Sequence, residues 1–291
     1  MGLKVTISQK ITTNRPMSDR LSNLISRFDL QARVFSDPSA CSVDDAVSHD
    51  GAGHLHLLRA GRIVVTGGAI GRQTIDAPSM LFLPRPQSYR VDMGAHTPAE
   101  LVSASIAFGS RDENPLLCSM PDLLVTPLTC VPSLDAVQQL LFAEALEPAC
   151  GHHAMVNRLV EVLMVQMLRH AMRKQLVDTG SLAGLADPRL GKALTALHSD
   201  PSRSWTLEDM AGTAGMSRSR FAAHFADVVG VPPGEYLLQW RIGLAKSLLR
   251  RGRPVKLVAA EVGYGSAGAL ARAFAQGVGL TPTQWLAQQR G

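Results

Sequence analysis

Two groups of residues in the chain have types and spacings suited to chemistry. His54 and His56 stand two apart in GHLHLL. Alternate side chains of a strand share a face, so on a strand both imidazoles point the same way, as metal ligands or hydrogen-bonding partners would. The second group lies far downstream, where Arg218 and Arg220 in MSRSRF and Arg272 in ALARAF stand among small residues. A guanidinium reads guanine edges and contacts phosphates, so these three suit a face that meets a polyanion. The four cysteines, Cys41, Cys118, Cys130 and Cys150, form no C-x-x-C pair, which argues against a zinc ribbon or a thioredoxin-type motif. As reduced thiols they are expected to act as small buried hydrophobes.

The charge is unevenly divided. Residues 187–291 hold 13 Lys and Arg against 7 Asp and Glu, whereas residues 1–186 hold 16 against 17. The positive excess therefore lies in the C-terminal third, as a polyanion partner would require. A length of 291 residues with 46% hydrophobic content predicts two domains with a sizeable core. No apolar run reaches the roughly 18–20 residues of a membrane helix, and MGLKVTISQK lacks the apolar segment of a secretory signal. The expectation is a soluble cytoplasmic protein with no membrane partner.

The basic third contains an internal repeat. Thr206–Leu237 overlays Val255–Leu286 without a gap, pairing Ala211 with Ala260, Ser217 with Ser266, Phe225 with Phe274, Gly230 with Gly279 and Pro233 with Pro282. In the first copy Thr206 and Asp209 suit a helix N-terminus, and Leu207, Met210, Ala211 and Ala214 form an apolar stripe at helical spacing. Gly215 ends this helix and Ser217 caps the next. A helix, a tight turn and a second helix make a helix-turn-helix, with Ala211 at the helix crossing. The second copy predicts Ala260 at the crossing, Gly263 at the turn and Ser266 as the cap. Between the copies, Gly234–Arg251 reads as one helix joining the two units. Units held this way can enter successive major grooves about 34 Å apart.

Together, WTLEDMAGTAGMSRSRFAAHFADVVGVPPGEYLLQWRIGLAKSLL and VAAEVGYGSAGALARAFAQGVGLTPTQWL resemble the DNA-binding domain of AraC/XylS-type bacterial transcription regulators. The resemblance implies an all-α DNA-binding domain over residues 187–290, with units at 206–230 and 255–279. It also implies double-stranded DNA and RNA polymerase as partners. An all-helical packing domain that binds no DNA is the alternative.

Helical geometry sorts the residues of each second helix. With Phe221 at 0°, Phe225 falls at about 40° and both face inward, while Ser219 and Ala223 fall at about 160° and 200°. Arg220 and Ala222 flank that outer face, and Ser217 and Arg218 lie in the first turn. In the second unit Leu270 and Phe274 face inward, and Gly268 and Arg272 take the outer positions beside Ser266, Ala267 and Ala269. The family resemblance implies DNA contact at these same positions. Where many relatives carry basic residues late in this helix, the chain has Ala275 and Gln276.

Upstream, ARVF, HLHLL, RIVVTGG, SMLFLP, YRVDM and ELVSASIAF read as short strands, giving a sandwich or barrel. SLDAVQQLLFAEALE and His152–Gln175 then read as helices, the second apolar almost all round and so buried in its own domain or against a twin. A homodimer through this segment is expected, since closed two-fold dimers are the commonest oligomers. GHLHLLRAGRIVVTGG and IDAPSMLFLPRPQSYRV, with NPLLCSMPDLL, resemble the cupin-type sensor domain found in one branch of these regulators. The whole is then an α+β chain, with a β-rich cupin-like sensor over residues 18–180, strands to about 131 and helices over 132–180, followed by the all-α domain. Where metal-binding cupins place an acidic ligand and a further His, this chain has Arg59, Gly61 and Tyr89, so we assign neither a metal nor a cofactor. His54, His56 and Tyr89 become candidate contacts of a small effector. The resemblance also leaves open an oxidant-sensing cysteine, with Cys41 and Cys118 as candidates, and a metal-dependent cupin enzyme as a remote alternative to a non-enzymatic regulator.

Overall fold

The computed structural model describes residues 19–28, 30–35, 42–43, 52–93, 99–108, 117 and 120–288. Cys41 and Cys118 lie outside these. A short helix α1 (Ser22–Phe28) precedes strands β1 (Leu30–Val34), β2 (Ser42–Val43), β3 (Gly53–Ala60), β4 (Arg62–Gly67), β5 (Gly71–Asp76), β6 (Ser79–Leu83), β7 (Tyr89–Asp92), β8 (Glu100–Phe108) and β9 (Leu124–Pro127). They pair antiparallel into a five-stranded sheet, ordered β1-β8-β3-β6-β9, and a four-stranded sheet, ordered β2-β7-β4-β5. Sequence reading misses β5 and β9. In β5 only Ile75 is buried, so the strand carries no alternation, and β9 is four residues at a sheet edge.

The five-stranded sheet is buried on both faces, which is why β3 and β6 are nearly continuous apolar runs. Leu58, Leu81, Leu83 and Leu101 pack with Ile63, Val65 and Val91 of the other sheet. Leu55, Leu57, Met80, Phe82, Val102 and Ile106 point the other way, into a cluster with α3 (His152–Lys174), which follows α2 (Asp135–Leu146). The α3 helix also covers the edge strand β1: Asn157 Oδ1 accepts the Val34 N–H at 2.9 Å, a group that would otherwise be an unpaired sheet edge. Burial of α3 is one-sided, however. Val156, Val160, Leu163, Met164, Met167 and Leu168 are buried, whereas Met155 and Val162 are exposed.

The core does not stop at α3. Leu168 and Ala171 pass into Leu182 and Leu185 of α4 (Ser181–Ala186), then into Leu190, Leu194 and Leu197 of α5 (Leu190–Ser199), and on to Met210, Phe221, Phe225 and Trp240 in one cluster. The 180–187 boundary read from sequence thus runs through the α4 joint. At Gly184 an added Cβ would stand 2.7 Å from Leu194 Cδ1 and 2.8 Å from Val229 Cγ2. The segment before β1 is tied to the same joint, with Arg20 Nη1 donating to the Leu185 carbonyl at 2.7 Å and Asn23 Nδ2 to Ser199 Oγ at 2.7 Å.

The remaining helices are α6 (Leu207–Ala214), α7 (Arg218–Val229), α8 (Pro233–Arg250), α9 (Val255–Glu261), α10 (Ala267–Val278) and α11 (Pro282–Gln288). The α8 helix serves two cores. Tyr236, Leu237 and Trp240 belong to the first cluster, while Ile242, Leu244, Ala245 and Leu249 join Val258, Ala259, Leu270, Phe274 and Trp285.

Gly184→Ala should therefore destabilise the chain by about 1–3 kcal/mol through overpacking. Gly212→Ala, in the exposed interior of α6 with nothing within 4 Å of the added methyl, should stabilise it by about 0.5–1 kcal/mol. Urea titration of both variants checks the pair, and equal effects of the two would contradict the tight α4 joint.

Candidate nucleic-acid interface

In the first unit, Thr206 closes a capping box: its hydroxyl accepts the Asp209 N–H at 3.0 Å, and the Asp209 carboxylate accepts the Thr206 N–H at 3.0 Å. Gly215 leaves α6 with φ +65°, a conformation that favours glycine. Ser217 occupies the N-cap position of α7 but makes no capping hydrogen bond there. The Phe221 and Phe225 rings are 5.5 Å apart, and Phe225 meets Tyr236 of α8 at the same distance. Both phenylalanines are buried, which turns Ser217, Arg218, Ser219, Arg220 and Ala223 to solvent, with Ala222 half-buried at the margin.

The second unit repeats this with one correction. Its second helix follows the gapless overlay, with Leu270 and Phe274 buried in the places of Phe221 and Phe225. Its first helix does not. Val258, Ala259 and Val262 take the buried roles of Met210, Ala211 and Ala214, so Ala259 stands at the crossing, and Ala260 is exposed. Backbone bonds agree: Met216 N–H donates to the Ala211 carbonyl at 2.9 Å, and Tyr264 N–H to that of Ala259 at 2.8 Å. The turn of the second unit is therefore one residue longer, with Gly265 as the extra residue before Ser266. Here the serine does cap, its Oγ accepting the Ala269 N–H at 3.1 Å. Ser266, Gly268 and Arg272 are exposed and Ala267 and Ala269 half-buried. The Arg272 side chain folds back along the bare surface, its Nη1 at 3.9 Å from where a Gly268 Cβ would lie.

Pairing distinguishes the arginines of these helices from their neighbours. Arg203 pairs with Asp209, and Arg253 with Glu261. Arg218, Arg220 and Arg272 have no ion-pair partner among the described residues. His224, at the flank of α7, is bonded to Asp187 at 2.9 Å and so faces the joint with the sensor side.

In the sensor region, the residues picked out by sequence do meet. His54 and His56 share the inter-sheet side of β3, and Tyr89 reaches them from β7 of the other sheet. Its hydroxyl lies 2.6 Å from His54 Nδ1 and 2.7 Å from His56 Nε2. The second nitrogen of His56 is 2.8 Å from Ser103 Oγ, directly across the β3–β8 register. Sequence reading missed Ser103, because only strand register brings it opposite His56. Burial, reinforced by the nearby His54, pushes the His56 pKa down to about 3, and burial likewise raises that of Tyr89. His56 and Tyr89 are thus neutral hydrogen-bonding groups at ordinary pH. With both nitrogens engaged, His56 offers no lone pair to a metal. No group of three or more His, Cys, Asp or Glu among the described residues is placed to hold one. The expectation of buried thiols fails where it can be judged: Cys130 and Cys150 are both exposed. Among the described residues no helix is long and apolar enough to cross a membrane.

Ser266→Ala should cost about 0.5–2 kcal/mol of stability by removing a cap, whereas Ser217→Ala should stay within about 0.5 kcal/mol of the parent. Denaturant melts decide, and equal losses would contradict the difference in capping. For His56, the unfolded chain takes up a proton below pH 6.5 but the folded chain resists to about pH 3. Its contribution is therefore present above pH 6.5 and lost on acidification through that window, by at most about 1.4 kcal/mol per pH unit. His56→Gln should make the acid limb of a stability-against-pH curve shallower by up to that slope, and an unchanged limb would contradict burial of a neutral imidazole.

A cupin family model matches residues 19–173, and a helix-turn-helix domain model matches residues 210–288. A putative AraC-like transcription regulator of Streptomyces lividans is 42% identical over 189 residues, 62% of this chain and 61% of the relative. An uncharacterized HTH-type transcriptional regulator of Haemophilus influenzae is 34% identical over 58% of this chain and 57% of its own length. The RCS-specific HTH-type transcriptional activator RclR of Escherichia coli is 25% identical over 81% and 86% respectively. The chain thus spans about three fifths of the length of the first of these relatives. A cupin domain over more than half of the chain, followed by paired helix-turn-helix units, places it in one family: the chain belongs to the AraC-type transcription regulators with an N-terminal cupin domain.

Proposed function

We propose that the protein is a sequence-specific DNA-binding transcription regulator, that both units read duplex DNA, and that the cupin side tunes the reading. The observation that carries this is the trio Arg218, Arg220 and Arg272, exposed and without ion pairs among the described residues, on the outer faces of two matched helices. The +6 balance of residues 187–291 supplies the general attraction to phosphate. In this reading Arg220 and Ser219 contact bases from α7, and Arg272 does so from α10. Ser217, Arg218 and Ser266 contact phosphates in the first turns. Ala222, Ala223, Ala267 and Ala269 pack on thymine methyl groups, and Gly268 leaves room for Arg272 to swing outward. The protein acts without catalysis, in the cytoplasm, with RNA polymerase as its downstream partner.

On the sensor side, a small organic effector exchanges hydrogen bonds with His54, His56, Tyr89 and Ser103, and the change reaches the reading heads through α3, α4 and α5. A second copy covers the exposed Met155 and Val162 of α3 with Leu140 and Leu146 of α2, giving a homodimer. An oxidant-sensing regulator is the second reading, favoured by the exposed Cys130 and Cys150. Its signature is an oxidant response lost in the double Ser variant with DNA affinity intact.

Arg272→Ala should weaken binding to the preferred duplex by about 1–3 kcal/mol and relax preference at one base position. Fluorescence anisotropy on preferred and scrambled duplexes at one salt concentration measures this. An equal loss on both duplexes would reduce Arg272 to a phosphate contact.

A further inference from the structure

Midway along α8, between Trp240 of the first core and Ile242 of the second, stands Arg241. Its Nε donates to the Pro201 carbonyl at 2.9 Å and its Nη2 to the Arg203 carbonyl at 2.8 Å. Those carbonyls belong to the loop leading into α6, which Asp200 holds by accepting from Ser202 Oγ at 2.7 Å and the Arg203 N–H at 3.2 Å. The same guanidinium lies 5.6 Å from the ring centre of Tyr264, in the turn of the second unit. Gly263 completes the contact. A Cβ there would stand 2.8 Å from Arg241 Nη2 and 2.9 Å from the carbonyl oxygens of Pro201 and Ser202. Its counterpart Gly215 has the same left-handed backbone with nothing within 4 Å, so conformation alone does not explain the crowding at Gly263. The turn of the second unit is pressed onto the loop of the first, with Arg241 between them.

Among the described residues, the apolar cores of the two units share no residue. On another face of α8, Leu238, Gln239 and Ile242 line an open cleft of about 1010 Å³, with Val229 and Gly230 of the first unit on one bank and Gln276 and Gly277 of the second on the other. Cleft on one side and clamp on the other leave the Arg241 contact and the stiffness of α8 to hold the angle between α7 and α10.

We propose that Arg241 is a positioning residue for two-part DNA reading: by joining Pro201, Arg203 and the Gly263–Tyr264 turn, it sets the spacing of the two half-sequences the protein accepts. The proposal rests on the DNA-reading function above. Each base pair inserted between half-sequences shifts the second by about 3.4 Å along the axis and rotates it about the helix, so a rigid pair of units must reject it.

The test uses the full chain and its preferred duplex, with the half-sequences at their selected spacing or displaced by one or two base pairs. The parent should bind the displaced duplexes at least about tenfold more weakly. Arg241→Ala, and Gly263→Ala by wedging the same contact, should shrink that ratio about threefold or more. Arg241→Lys keeps the charge but not the fork that serves two carbonyls, so it should resemble Arg241→Ala; full retention of the parent ratio by the lysine variant would overturn the proposal. A DNA-free measurement separates this inference from the function it rests on. Spin labels on noncanonical residues at positions 223 and 276 should give one narrow distance distribution in the parent and a broad one in Arg241→Ala. Coinciding distributions would overturn the clamp whatever the DNA results, whereas a parent that prefers no duplex would sink the DNA reading and leave the clamp to the distances.

Discussion

Everything outward-facing on the two reading helices follows from what they must bury. Each presents two large apolar side chains one turn apart, Phe221 and Phe225 on α7, Leu270 and Phe274 on α10, and all four are essentially excluded from water. Burying each such side chain is worth about 1.5–3 kcal/mol, so rotating either helix would forfeit more than any surface contact returns. With that face held against α8, the opposite face has no freedom. Arg220 and Ser219 on one helix and Arg272 and Gly268 on the other must look away from the protein.

The same principle links the reading heads to the cupin side. A single apolar cluster runs from the sheet through α3, α4 and α5 into the first unit, with Gly184 allowing Leu194 and Val229 to pack close against α4. The second unit lies outside that cluster and is joined to the first through α8 and the contact at Arg241. Under the proposed function, an effector that alters the sheet packing would have a physical connection to the first head and an indirect one to the second. Coupling of this kind would be a free energy between two sites, with the larger share falling to the first head.

Much of this was legible in the chain. Helical periodicity alone placed Phe221, Phe225, Leu270 and Phe274 inside and Ser219, Ala223, Gly268 and Arg272 outside, because one buried stripe per helix leaves no second solution. The misplacement of Ala260 has an equally physical origin. Alanines occupy both 259 and 260, so the overlay found an identity at either register, and the extra Gly265 in the turn could hide. Contacts across strands were partly hidden as well: His54 and His56 were paired by alternation, but Ser103 joins them only through the β3–β8 register. Nothing in the pattern announced Arg241, whose partners are two loop carbonyls and the Tyr264 ring, brought to it only by the fold, or β5, whose residues are almost all exposed.

The central claim, that two linked heads read duplex DNA by sequence, is tested most directly by selecting bound duplexes from a random library with the full chain at fixed salt, then sequencing them. The account predicts one enriched two-part motif whose halves lie about one helical turn, roughly 10 base pairs, apart. The half read by α10 should be the less constrained, since Arg272 is the principal base contact proposed for that helix. A bound pool with no enriched sequence would contradict the account.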